Sequence, residues 1–172
     1  MESWTKSLHT LYDKAVTQYC AGKQGADTYF EPDEVTFLAS IGLKPINVFD
    51  YVEDFVDGGE PDWDTFLLVA AARRDYFLYE QKGQPSTRVI ESEELPARNA
   101  ELGGIRWLPR IICKARCFLE GGLCHDIMYG CGGDRNFLRR NGLHSADFLR
   151  AVWASHGDDQ KVLAFVQEAG GK

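Results

Sequence analysis

The chain has 172 residues, a formal net charge of −7, 44% hydrophobic and 26% charged residues. That balance is expected of a soluble globular protein with one ordinary domain or two small ones. No stretch approaches the roughly 20 apolar residues of a membrane span, and an acidic chain disfavours a nucleic-acid partner. The opening MESWTKSLHT has no basic segment leading into an apolar core, so no secretory signal is expected. The expected setting is the cytoplasm, where thiols stay reduced, and five cysteines, an odd number, suit it.

In chain order, Leu8, Leu11, Tyr12, Ala15, Val16 and Tyr19 make one apolar stripe at helical spacing, ended by Gly22 and Gly25. Glu31-Pro32-Asp33-Glu34 opens a second helix, with proline in the first turn and acids at the positive end of the dipole. Gly42 stops it. A third runs from Pro45 to about Val56. Asp62 caps a fourth that continues to about Gln81. Residues 83–104, rich in proline, glycine and glutamate, read as a linker or crossing loop. A fifth helix begins near Trp107 with Pro109 in its first turn and ends at Gly121-Gly122. A sixth spans Asp134 to Asn141, a seventh is capped by Ser145, and an eighth is capped by Asp158 or Asp159.

Laying residues 8–55 over 108–155 without a gap aligns Leu8 with Leu108, Lys14-Ala15 with Lys114-Ala115, Gly22 with Gly122 and Tyr29 with Tyr129. Phe37-Leu38, Gly42-Leu43 and Val52 align in the same way. About ten identities in about 48 positions exceed a chance level of roughly three. The expected fold is all-α: two tandem pseudo-repeats of about four helices each, at 1–82 and 105–172, packed with pseudo-two-fold symmetry. The first is acidic and divergent. The second is cysteine-rich, with a local basic run at Arg135, Arg139 and Arg140.

Cys113, Cys117, Cys124, His125 and Cys131 have no cysteine or histidine at the aligned positions of the first half, so a shared fold does not require them. Cys113 and Cys117 fall one turn apart on the fifth helix, on the stripe of Arg106 and Arg110, and a nearby guanidinium favours thiolate. Three uses are open. A thiol site would employ Cys131 as nucleophile or ligand-gripping group, His125 as its acid or base, and Asp134 as orienting carboxylate. Arg110, Arg135 and Tyr129 would then hold an anionic small molecule. Alternatively, Cys113, Cys117 and Cys124, with His125 and Cys131, could bind zinc or another transition metal, although the spacing matches no zinc knuckle. Third, the acidic first half could make a non-enzymatic adaptor for a basic partner.

The strings LPRIICKARCFLEGG, YGCGGDRNFLRRNGLHSADF and DDQKVLAFV resemble a bacterial family, the domain of unknown function 5069. The matching positions are Leu108, Pro109, Arg110, Lys114, Arg116, Gly121, Tyr129, Cys131, Asp134, Phe137, Leu138 and Gly142. The resemblance implies a helical fold over about residues 105–167 and singles out Arg110, Cys131 and Asp134. It brings no activity. The chain departs from the family pattern at Cys113, where an acid is usual, and in having Cys117, Cys124 and His125. The expected partner is a small molecule, and the expected assembly a monomer or homodimer.

Overall fold

The computed structural model describes residues 3–23 and 25–171, and it is all-α apart from one small hairpin. The helices are α1 (Trp4–Cys20), α2 (Pro32–Ser40), α3 (Pro45–Gly58), α4 (Trp63–Tyr79), α5 (Leu108–Glu120), α6 (Gly132–Arg140), α7 (Ser145–Ala154) and α8 (Asp159–Gly170). Their ends follow local chemistry. The Ser3 hydroxyl accepts from Lys6 N at the start of α1, and Asp62 Oδ1 accepts from Thr65 N at 2.9 Å at the start of α4. Pro32 and Pro45 occupy first turns, where a missing N–H costs no hydrogen bond.

Two helix starts differ from the sequence reading. α6 begins two residues early, with Cys131 as its N-cap residue. α7 is capped by His144, whose Nδ1 accepts from Ala146 N at 3.1 Å, and Ser145 is buried inside the helix. The crossing segment is also more ordered than a plain linker. It contains β1 (Glu101–Leu102) and β2 (Ile105–Arg106), an antiparallel pair closed by Gly103-Gly104 with φ of 57° and 77°. Two adjacent left-handed residues are what a tight hairpin turn needs. Ile90 N donates to Gly122 O at 2.7 Å, and both Ile90 and Leu95 are buried in the core.

The core is continuous. Tyr51 and Phe66 from the first half belong to the same cluster as Leu108, Ile111 and Phe148 from the second. α1 packs on α3, α5 packs on α7, and α4 packs against both α5 and α7. Phe66, Val69, Ala70, Ala72 and Phe77 bury α4, which therefore behaves as a central helix rather than a surface one.

Positions one hundred residues apart have matching environments. α2 and α6 are each nine residues long and begin at 32 and 132. α3 and α7 begin at 45 and 145. Leu43 N donates to Leu38 O, and Leu143 N to Leu138 O, both at 2.9 Å. Leu8 and Leu108, Ala15 and Ala115, Tyr29 and Tyr129, and Val52 and Val152 are all buried.

The helix-ending glycines are not equally constrained. Gly42 has φ of 74°, and a Cβ there would lie 2.7 Å from Phe77 Cβ. Gly22 has φ of 85° with nothing within 4 Å of a Cβ. Gly22→Ala is expected to cost about 1–2 kcal/mol from the left-handed backbone alone. Gly42→Ala adds overpacking of about 1–3 kcal/mol. Urea unfolding of the two variants should show the larger loss at Gly42, and equal losses would refute this account.

Candidate functional site

The densest polar cluster lies where α5 meets the start of α6. Lys114 sits on the inner face of α5 between Ile111 and Ala115, and it is buried. A buried ammonium needs a partner, and Asp134 supplies it: Lys114 Nζ donates to Asp134 Oδ2 at 2.5 Å. Asp134 is fully buried and accepts twice more, from Gly130 N at 3.0 Å and from Trp107 Nε1 at 2.9 Å. Lys114 also donates to Cys131 Sγ at 3.2 Å. Trp107 has a left-handed backbone with φ of 72°, a sparsely populated state for a bulky residue. Its ring lies over Gly133, where a Cβ would come within 2.6 Å of Trp107 Cζ2. Strain, ion pair and thiol therefore meet at one place.

The first half has a counterpart at the same offset. Lys14 Nζ donates to Glu34 Oε2 at 2.5 Å, and that oxygen also accepts from Glu31 N at 2.7 Å. Glu34 and Asp134 both stand at the third position of their helix, each tying the helix start to a lysine of the preceding long helix. The first pair is about 30% exposed, whereas the second is almost fully enclosed.

Of the residues singled out from sequence, Cys131 and Asp134 come together. The others go elsewhere. His125 is exposed in the loop after α5 and, among the described residues, makes no hydrogen bond to the Cys131 thiol. The side chain in contact with that thiol is Lys114. Tyr129 is a core residue, 1% exposed, with its hydroxyl donating to Ser145 O at 2.8 Å. Arg110 donates to Pro96 O at 2.8 Å, with its guanidinium 5.8 Å from the Trp107 ring centroid. Arg135 donates to Asp54 Oδ2 at 2.6 Å and to Glu60 Oε1 at 3.3 Å, so its charge is used across the two halves. Arg139 does the same with Glu60 at 2.6 Å.

The cysteines do not converge. Cys113 and Cys117 neighbour each other on α5, with Cys117 buried and Cys113 half-buried. Cys124 lies in the loop, where burial first, and then Glu91, raise its thiol pKa. Cys131 is with Lys114. Among the described residues no three His, Cys, Asp or Glu side chains form a possible ligand set, so the expected metal grouping is not assembled. The Cys117 thiol beside it, and then Arg116 and Arg88, draw Cys113 down to about 7, while Cys117 itself is pushed up.

Sequence reasoning missed Lys114, Trp107 and Asp50 as parts of the cluster. Lys114 carried a signal, since Lys14 aligns with it. Asp50 on α3 carried none. Burial first, then Glu53 and Asp54, push its carboxyl up to about 7, and Lys114 opposes them. Tyr51 beside it donates to Tyr129 O at 3.1 Å.

The match to known proteins falls on the same region. Residues 93–171 match the family described as Domain of unknown function (DUF5069). That span starts before the hairpin and takes in Trp107, Lys114, Cys131 and Asp134. No curated protein and no solved structure matches the chain.

Two outcomes are expected. Lys114→Met leaves Asp134 buried without its cation and should cost about 3–5 kcal/mol, whereas Lys14→Met at the exposed pair should cost about 1 kcal/mol or less. Similar losses in chemical denaturation would contradict the difference in burial. For Asp50, the folded chain keeps a proton that the unfolded chain loses from about pH 4 upward, so stability falls between about pH 4 and 7. Asp50→Asn removes that loss. Its gain over wild type should grow across that window by about 1.4 kcal/mol per pH unit, to roughly 4 kcal/mol at pH 8, and a pH-independent difference would exclude this group as the source.

Proposed function

We propose that the protein binds an anionic small molecule through its second half, in the cleft beside Trp107. The cleft measures about 390 Å³ and runs between the hairpin and α6. Arg98, Arg106 and Arg140 line it, with Trp107, Asn136 and Asn141, and no acidic residue does. Arg106 pairs with Glu101 at 2.8 Å. Arg98 and Arg140 make no ion pair or hydrogen bond among the described residues. These two unpartnered guanidinium groups carry the reading, because the chain has a net charge of −7 and the neighbouring Arg135 and Arg139 are both paired. Arginine presents a planar fork suited to carboxylate or phosphate, and the indole offers a surface for an apolar or planar body. Asp134 accepts hydrogen bonds from both Trp107 Nε1 and Lys114 Nζ, which fixes that surface in place.

The test is a calorimetric titration with citrate, inorganic phosphate and sugar phosphates at constant ionic strength. At least one should bind the wild type, and Arg98→Gln/Arg140→Gln should weaken it by tenfold or more. Unchanged affinity in the folded double variant would overturn the proposal.

A second reading, thiol chemistry, is supported at Cys113. Cys113 is half-buried beside Cys117, and that neighbour first, then the charges of Arg116 and Arg88, draw its thiol down to about 7. The thiolate is the reacting form. Iodoacetamide labelling of native protein is expected to show a fast phase whose rate rises with a midpoint near pH 7 and vanishes in Cys113→Ser. A midpoint in the ordinary thiol range, or a fast phase surviving the substitution, would remove this reading.

A further inference from the structure

We infer that a second cavity, built around the buried Arg73 of α4, is a binding site for a monocarboxylate with an apolar body. It lies beside the turn between α2 and α3 and the segment that leaves α4, and has a volume of about 540 Å³. It shares no lining residue with the Trp107 cleft.

Arg73 is 3% exposed and lines this cavity. Its NH1 donates to Gln81 Oε1 at 2.8 Å, while its Nε, buried, has no hydrogen-bond partner. Among the described residues it makes no ion pair; Glu120 acts on it only from beyond ion-pair distance. Its guanidinium carbon lies 5.2 Å from the Phe77 ring centroid. A buried cation left without an anion is rare, because desolvation of a charge is costly unless a counter-charge replaces the lost water. Burial accordingly lowers the Arg73 pKa to about 10.

Two backbone turns close around the same guanidinium. A Cβ at Gly121 would lie 2.7 Å from Arg73 Nη2, and one at Gly42 3.1 Å from Arg73 Cζ. Both glycines have positive φ, 76° and 74°. The turns thus enclose the guanidinium where side chains would collide with it, and its remaining approach is from the cavity.

The rest of the lining defines the ligand class. Leu43, Phe77, Leu78 and Pro85 make apolar walls, Leu78 being 37% exposed, and no acidic residue contributes. Lys44 adds a second positive charge at the rim, and its pKa is lowered by burial and by Arg73. One buried guanidinium beneath apolar walls fits a single carboxylate on a hydrocarbon or aryl body, since the carboxylate can take two parallel N–H donors. A small polyanion would leave those walls wet. The volume lies within the range of small-molecule pockets.

The test titrates the whole chain with sodium octanoate, and separately with 1-octanol, acetate and inorganic phosphate. Octanoate should bind saturably, with octanol and acetate each at least tenfold weaker and phosphate not binding here. Arg73→Met should lose octanoate binding by thirtyfold or more, with a Tm at or above that of the ligand-free wild type. Ser86→Trp, at the exposed edge of the cavity, leaves Arg73 intact and should block octanoate by filling the entrance, which keeps the test decisive if Arg73→Met does not fold. Absence of octanoate binding would overturn the inference. So would equal affinity for octanol or phosphate, or unchanged octanoate affinity in either folded variant. The Trp107 cleft is independent, since Arg98→Gln/Arg140→Gln should leave octanoate binding as in wild type.

Discussion

A lysine on the long helix holding a carboxylate at the third position of the next helix is the interaction around which each half is arranged. The carboxylate satisfies a backbone N–H near the helix start and simultaneously pairs with the ammonium, so one residue fixes both where the helix begins and how it crosses its neighbour. In the first half this pair is partly open to water. In the second it is enclosed, which turns a modest contact into an obligatory one, because neither charge can then be left alone. Trp107 and Cys131 attach to the enclosed version only.

The two halves also consume one another's charge. The acidic first half contributes Asp54 and Glu60 to Arg135 and Arg139 of α6. Much of the basic run that stood out in the sequence is thereby neutralised within the chain, as is part of the acidic face an adaptor would have offered. What remains unpaired is informative for that reason. Arg98 and Arg140 face a cleft, and Arg73 faces a cavity, in a protein that had carboxylates to spare.

The helices were legible because their signals are local. The Leu8-to-Tyr19 stripe, the Asp62 cap and Gly42 each act over a few residues, and each appears where the spacing placed it. The misses come from competition between neighbouring caps. His144 reaches Ala146 N before Ser145 can serve as cap, and Cys131 begins α6 because Asp134 turns inward to Lys114. The site was half legible. Cys131 and Asp134 stood out in the sequence, but the side chain that meets the Cys131 thiol is a lysine that looked like framework, not His125, and Tyr129 proved to be core. Residue type pointed to histidine; helix crossing brought lysine.

The sequence by itself determined an all-helical chain, the alignment of its halves at an offset of one hundred and the lysine and acid positions that the two halves share. Helix propensity, capping and periodicity are written in adjacent residues. Only the tertiary structure decided which charges are paired. Arg73 and Arg74 are adjacent on a helix that is apolar on nearly every side, so no stripe told which of them would face inward. Packing of α4 against α5 and α7 put Arg73 beneath the turns at Gly42 and Gly121, and left Arg74 over the Trp4 ring with its guanidinium beside Asp75. A rotation of about 100° per residue separates the two side chains, and only the shape of the neighbouring helices converts that angle into a buried, unpaired charge.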